Sequence, residues 1–479
     1  MDLRPYQVEA IEEVRGRFRA GAKRTLIVLP TGGGKTVVGA SIINSAAAKG
    51  SRVLFLAHRR ELIQQTADKL SRFGVRHGII MAGERQALQH PVQVASIQTL
   101  ARRRDVLKSV DLIFFDEAHH AAAGTYTEVM QWYPNARVVG LTATPWRLDG
   151  RGLADVFDAH VIVRTPRQLR DEGFLVPVGG WEYEAIDTSH ARVRAGDYAT
   201  KDLAEEAAKP RVVGDIVEEW LRHAEGKRTV VFCVSIEVSK LIAAQFKAAG
   251  VAAEHVDGEM DAAERDGILR RLRAGQTRVV CNCNVLTEGF DCPELEVCVL
   301  ARPTLSVSLY LQMVGRVLRP AEGKTQARIH DHAGCLATHG HPFAHRDYSP
   351  EETVKGEREP AQDADTRKRN VCPSCKSVRA GYPCDNCGFS PSPEDLKVQF
   401  EEAAHARAIV EENSPEELKQ REMARKFRHT TDGERRAFFE RMVGKYGVKK
   451  AVGVYRWWSG ETAWPPYAWR ELAASAASV

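Results

Sequence analysis

The chain lacks any apolar run approaching the ~18 residues of a membrane span, and its start, Met1 to Pro5, has no apolar stretch of the secretory kind. Cysteine is sparse, ten among 479 residues, too few for a disulfide scaffold. A large excess of one charge is also missing: 68 Lys and Arg against 63 Asp and Glu leave a net +5, which by itself demands no polyanionic partner. These absences exclude a membrane-spanning or disulfide-stapled secreted protein and point to the cytoplasm. Hydrophobic residues at 43% and charged ones at 27% are ordinary globular values. At ~150 residues per domain the length accommodates about three units.

What is present is a repeated rhythm. The apolar run 25–29 precedes a glycine loop, helical periodicity covers about 35–48, and further apolar runs follow at 52–57, 92–95, 112–115 and 138–141. Runs without polar alternation are strands buried on both faces, which means a parallel α/β sheet. The rhythm returns at 229–233, 252–256, 277–281 and 297–300, with a helix over about 235–249. The fold class is therefore α/β, with two parallel-sheet domains and a seam between 164 and 207. Residues 349–370 are poor in apolar side chains and read as a charged linker. Beyond them, 401–420 is acidic and helical in pattern, with six Glu against one Arg and one Lys. Residues 421–450 reverse the sign, with ten Lys and Arg against four Asp and Glu.

Pro30-Thr31-Gly32-Gly33-Gly34-Lys35-Thr36 lies between the first buried strand and its helix. Successive glycines let backbone N–H groups turn inward around a phosphate without Cβ clashes. The helix N-terminus adds partial positive charge. Lys35 is then placed for the β- and γ-phosphates of ATP, and the Thr36 hydroxyl for Mg2+. The strict phosphate-loop pattern has glycine where this chain has Leu29. A second buried strand, 112–115, ends in Asp116-Glu117-Ala118-His119. Asp116 is placed for the Mg2+ shell, and Glu117 to orient and deprotonate the attacking water.

From residue 3 to about 331 the chain resembles a superfamily 2 helicase, and within it the bacterial and phage branch related to the DNA-repair ATPase RadD. Leu3-Arg4-Pro5-Tyr6-Gln7 is similar to the adenine-recognition element, which implies nucleotide contacts from Arg4 and Gln7, with Gln7 as base reader. Ala57-His58-Arg59-Arg60-Glu61-Leu62 resembles motif Ia, and Ser96-Ile97-Gln98-Thr99-Leu100 the segment that follows the nucleic-acid strand. The implied strand contacts are His58, Arg59, Gln98 and Thr99. Thr142-Ala143-Thr144-Pro145 resembles motif III, which links the nucleotide site to the strand through Thr144. Asn284-Val285-Leu286-Thr287-Glu288-Gly289-Phe290-Asp291-Cys292-Pro293 resembles motif V. That gives Thr287 to the strand, and Gly289 and Asp291 to the nucleotide, Asp291 near the ribose. Gln312-Met313-Val314-Gly315-Arg316-Val317-Leu318-Arg319-Pro320 is similar to motif VI. By resemblance Gln312 and His119 bridge the nucleotide to domain closure. Helicases of this kind commonly lack the first loop glycine, so Leu29 is no anomaly.

Arg316 and Arg319, three apart on an expected helical stretch, share a face. Two guanidinia together suit a γ-phosphate whose charge spreads in the transition state. The resemblance implies two tandem RecA-like domains, with ATP and Mg2+ as cofactors and DNA, single-stranded or forked, as partner. A role in DNA repair, recombination or replication goes with it. The alternatives are an RNA helicase, the motor subunit of a restriction system, or a nucleic-acid-binding adaptor with a vestigial ATPase. Intact Lys35, Asp116, Glu117, Arg316 and Arg319 speak against the adaptor.

Cys372, Cys375, Cys384 and Cys387 form C-x2-C-x8-C-x2-C, with Gly388 after the second pair. This spacing predicts a tetrahedral Zn2+ ribbon whose four thiolates leave no position for substrate. The histidines at 330, 332, 339, 341 and 345 do not place three on one face, and read as strand and loop residues. Cys281 and Cys283 read as core. In the tail, Lys449, Lys450 and Trp457 belong to a stretch of interleaved cations and aromatics. That composition suits tracking a single strand and equally the core of a small domain; the segment could also dock a repair or replication protein. The expected organisation is a RecA-like ATP-binding domain over 1–165, a connecting segment over 166–207 and a RecA-like helicase C-terminal domain over 208–348. A charged linker over 349–370, the zinc ribbon over 371–390 and a mostly helical C-terminal region over 391–479 follow.

Overall fold

The first domain is built on seven strands: β1 (Arg24–Val28), β2 (Val53–Ala57), β3 (His77–Ile80), β4 (Val92–Ser96), β5 (Leu112–Phe115), β6 (Arg137–Thr142) and β7 (Ala159–Ile162). They lie in the order β3-β4-β2-β5-β6-β1-β7, every pair parallel. In this computed structural model the described residues are 3–351, other than 59, 121–123, 148 and 195, together with 372, 374, 377–378, 383–384 and 386–390. Arg59, Cys375, Lys449, Lys450 and Trp457 lie outside them. The chain divides into two units, Met1–Ser390 and Pro391–Val479, and every element named here belongs to the first.

The second sheet uses β8 (Val178–Glu182), β11 (Thr229–Cys233), β12 (Ala253–Val256), β13 (Val279–Asn282), β14 (Val297–Ala301) and β15 (Ala327–Asp331); a two-residue-per-strand hairpin, β9 (Val193–Arg194) with β10 (Asp197–Tyr198), stands apart. The order is β12-β13-β11-β14-β15-β8, again parallel throughout. The central strands β2, β5, β11, β13 and β14 are buried at every position. That follows from helices covering both faces, and it is why these strands carry no polar alternation. Among the described residues no helix is long and apolar enough to cross a membrane.

The segment 166–207 does more than connect. It supplies β8, the edge strand of the second sheet, paired to β15 from Val178↔Ala327 to Glu182↔Asp331. Gly179 and Gly180 on β8 sit where a side chain would collide: a Cβ on Gly180 would lie 2.8 Å from Leu336 Cδ1, and one on Gly179 2.6 Å from Asn386 Oδ1. The outer edge of β8 is covered by the cysteine-bearing segment. Val378 N donates to Gly180 O at 2.7 Å, and the Ser377 hydroxyl accepts from Gly180 N at 3.0 Å. Covering an otherwise open strand edge removes a site for unwanted pairing.

The second domain's core is anchored by Trp220 against Phe246, edge to face with centroids 5.3 Å apart. Trp220 Nε1 donates to Thr229 Oγ1 at 2.7 Å. Both rings are fully buried. Phe246→Ala should lower the stability of this domain by about 3–5 kcal/mol, seen as an earlier urea midpoint. An unchanged midpoint would show that the two rings do not hold this core.

Candidate nucleotide site and interdomain cleft

Three neighbouring strands of the first sheet, β5, β6 and β1, end at one rim, where open parallel sheets bind ligands. Pro30–Gly34 leaves β1, Asp116 and Glu117 leave β5, and Ala143–Pro145 leave β6. Gly32 and Gly34 have φ of +87°, the left-handed region that costs glycine nothing. The helix Lys35–Ala48 starts at Gly34 with no side-chain cap, so amides of its first turn remain for an anion. Leu29 is wholly buried, and its Cγ lies 2.7 Å from where a Gly33 Cβ would stand. The leucine fills the space under the loop that Gly33 leaves open.

The loop is clamped from the N-terminal side. Tyr6 OH donates to Gly33 O at 2.8 Å, and Gln7 Nε2 to the same oxygen at 3.1 Å. The Arg4 guanidinium donates to Tyr6 OH at 3.0 Å and lies over the Phe174 ring, 4.6 Å from its centroid. Gln7, expected to read the base, is thus committed to the loop backbone, and Arg4 supports Tyr6.

Lys35 Nζ stands 4.0 Å from Glu117 Oε1, and Asp116 Oδ1 accepts from Glu117 N at 3.0 Å. Burial, with the Glu117 charge beside it, pushes the Asp116 carboxyl up to about 6 while Lys35 pulls the other way. Two buried carboxylates against one lysine leave negative charge that a divalent cation would neutralise. The donor set therefore fits the ATP and Mg2+ expected at Thr36 and Asp116. Glu117 adopts φ +51°, an uncommon conformation for a residue with a side chain. Such strain collects at functional positions.

Across the cleft, the helix Val307–Val314 ends at Gly315. Arg316 and Arg319 therefore do not share a helical face, because Gly315 caps the helix and the chain turns. They converge even so: Arg316 donates to Phe290 O at 2.7 Å and Arg319 to the same oxygen at 3.3 Å. Burial and the nearby Arg319 lower Arg316 to about 10. Arg319 also pairs with Asp291, so the carboxylate expected near a ribose holds a guanidinium instead. Gly315 packs on the loop itself, since a Cβ there would be 2.6 Å from Thr31 Cβ.

The seam is dense with polar contacts. His119 Nε2 lies 3.4 Å from Gln312 Nε2 and 3.3 Å from Glu288 Oε1, while its Nδ1 lies 3.5 Å from Glu117 Oε2. Glu288 also meets His58 at 3.0 Å and His120 at 3.4 Å. Burial works to raise the Glu288 carboxyl, but hydrogen bonds with His119, His120 and His58 outweigh it and hold it well below the usual carboxylate range. Glu288 and His120 escaped the sequence reading. Glu288 stands between two candidate residues, Thr287 and Gly289, yet its partners are 168 or more positions away.

The strand candidates divide. Gln98 and Thr99 lie at the surface, where Gln98 Nε2 donates to His58 O at 3.2 Å. Thr144 is buried, and its hydroxyl donates to Ser308 Oγ of the second domain at 2.8 Å. Thr287 is buried as well. Gly289 O accepts from Gln65 of the first domain. His330, His332 and Cys281 are core, and Cys283 is buried too.

Residues 1–147 match the family described as type III restriction enzyme, res subunit, and residues 209–321 match the helicase conserved C-terminal domain. A 51.5 kDa protein of a Lactococcus phage (isolate 7-9) is 33% identical over 389 residues, 81% of this chain and 82% of the phage protein. The chain is a superfamily 2 helicase. It is thereby a nucleic-acid-dependent ATPase, with two RecA-like domains. The helicase is also similar to the DNA 3'-5' translocase XPB2 of Sulfurisphaera tokodaii, 24% identical over 360 residues, 67% of this chain and 79% of the relative. Among solved structures, a fragment assigned to the HsdR subunit of a type I restriction enzyme from Vibrio vulnificus YJ016 has a TM-score of 0.57 at 25% identity. The match covers 73% of this chain and 66% of that one.

The loop packing gives a direct test. Leu29→Gly restores the strict phosphate-loop pattern but empties a filled site, so it should cost about 2–5 kcal/mol of stability. It should not tighten ATP. A variant that binds ATP better and melts unchanged would contradict the packing role.

Proposed function

We propose that this helicase couples ATP hydrolysis to movement along DNA, single-stranded or forked, in repair, recombination or replication. The observation that carries the reading is the split site. The candidate carboxylates Asp116 and Glu117 lie in one domain, and Arg316 and Arg319 in the other, joined through His119, Gln312 and Glu288. DNA rather than RNA is supported by the XPB2 relative, named as a DNA translocase. Assignment to the branch related to RadD rests on the motifs, and a cytoplasmic site on the sparse cysteine of the sequence. A restriction-system motor is the second reading, favoured by the match of residues 1–147 and by the HsdR fragment.

When bound, Mg2+ neutralises phosphate charge. Lys35 and the open amides of the Lys35–Ala48 helix would bind the phosphates, while Thr36 and Asp116 would hold the cation. Glu117 accepts the proton of the attacking water. Arg316 and Arg319 leave the Phe290 carbonyl and the Asp291 carboxylate to meet charge developing on the γ-phosphate. Since these groups belong to different domains, turnover requires the cleft to close, and reopening follows phosphate release. Gln98, Thr99 and His58 line the surface at the carboxyl ends of β2 and β4, suited to one strand. A groove in the second domain bordered by Gly258, Arg265 and Asn284 offers a second hold.

Lys35→Ala should abolish turnover, and Glu117→Gln should bind ATP yet barely hydrolyse it. Arg319→Ala should keep binding and slow hydrolysis by ~10³-fold or more. The measurement is ATPase rate without polymer and with single-stranded DNA, duplex DNA, forked DNA or RNA. Stimulation by RNA alone would overturn the DNA assignment, and wild-type turnover in Lys35→Ala would overturn the phosphate site.

Zinc belongs to the same proposal. The sulfurs of Cys372, Cys384 and Cys387 lie within 4.8 Å of one another, with Cys372 and Cys387 3.7 Å apart. Cys375 would supply the fourth thiolate. Purified reduced protein should contain one zinc per chain at this site, and Cys384→Ser should lose it while the two sheets stay folded. Equal zinc in both proteins would remove the ribbon.

A further inference from the structure

We infer that His58, His120 and Glu288 form a second metal site, for a first-row divalent transition cation such as zinc, spanning the cleft between the two domains. His58 follows β2 and His120 ends the turn after β5, both in the first domain; Glu288 follows β13 in the second. His58 Nε2 is 3.0 Å from Glu288 Oε2, and His120 Nε2 is 3.4 Å from Glu288 Oε1. One ligand atom from each of the three lies within 4.8 Å of the others. Bonds of ~2.0–2.2 Å in a tetrahedral shell place donors about 3.3–3.5 Å apart, so the cluster needs only small side-chain shifts.

The donor chemistry selects the cation. Two imidazoles and one carboxylate suit zinc and its first-row neighbours, whereas Mg2+ and Ca2+ take oxygen shells. The site shares no residue with Thr36 and Asp116. His119 also meets Glu288 Oε1, at 3.3 Å, but the same ring nitrogen faces Gln312 and the other faces Glu117, so it is not counted as a ligand. Glu288 side-chain exposure is 6%, but His58 at 19% and His120 at 30% leave a way in and a coordination position open to water. A site open on one side is exchangeable, unlike a closed cysteine shell.

Its ligands come from both domains, so a bound cation staples the closed cleft. Opening would break a bond to Glu288 or to the two histidines. Zinc at this site should therefore slow turnover, a consequence that rests on the closure reading above, while the binding itself does not.

The test uses the full chain with the ribbon loaded, dialysed against micromolar zinc with MgATP in large excess, beside His120→Ala. His120 has no part in the nucleotide or strand contacts, so this variant should turn over ATP at the wild-type rate without added zinc. Wild type should hold one more zinc than the variant, and its DNA-stimulated ATPase should fall and recover on chelation. Losing a direct ligand should weaken zinc by more than the ~10–100-fold seen for an outer-shell partner. His120→Gln serves as a second variant if the alanine protein is unstable. Equal zinc contents in wild type and variant would overturn the site. An extra zinc with unchanged turnover would support the site and contradict the closure reading instead.

Discussion

The structure turns on one division: the groups that would hold a nucleotide and those that would complete its chemistry sit on separate sheets. The central strands of each sheet are buried on both faces. One apolar cluster draws on both domains, and polar contacts join them as well: His119 to Gln312 and Glu288, and Thr144 to Ser308, with Gly315 of the second domain resting on Thr31 of the loop. These polar contacts are buried, and parting the halves would expose both partners of each to water, which replaces a hydrogen bond at small net cost.

Electrostatics biases the same seam. Asp116 is buried beside Glu117 with Lys35 as the nearby cation, and Arg316 is buried beside Arg319. In the first half two carboxylates face Lys35, while in the second Arg319 is paired with Asp291 and Arg316 donates to a carbonyl. A phosphate with its cation would satisfy both at once, joining the halves more strongly than they join alone. Without it, Asp291 holds Arg319 and Phe290 O accepts from both arginines. The guanidinia are parked within the domain that carries them.

Much of this was legible in sequence, and the limits have physical causes. The helix Lys35–Ala48 could be bounded because a glycine loop opens it and Lys49-Gly50 follows it. The central strands were evident because double burial leaves no polar alternation. Edge strands were not: β3 and β7 are partly exposed, and β8 carries two glycines whose value lies in neighbours far along the chain. The spacing of Arg316 and Arg319 suggested a shared helical face, but Gly315 ends the helix and a turn brings the guanidinia together. Thr144 sits in a motif linked to the strand, yet its hydroxyl serves the interdomain contact. Glu288 was invisible, since no local pattern reports a carboxylate met by histidines of another domain.

Distance between the domains, followed during turnover, tests the central claim most directly. Fluorophores at exposed Leu88 and Leu241, one in each domain, would report single-molecule energy transfer as a non-hydrolysable ATP analogue and single-stranded DNA are added. The account predicts a broad distribution that collapses to one short-distance state only with both ligands, and ATP turnover that rises in step with that state. Full nucleic-acid stimulation of turnover with no change in the distance distribution would contradict it.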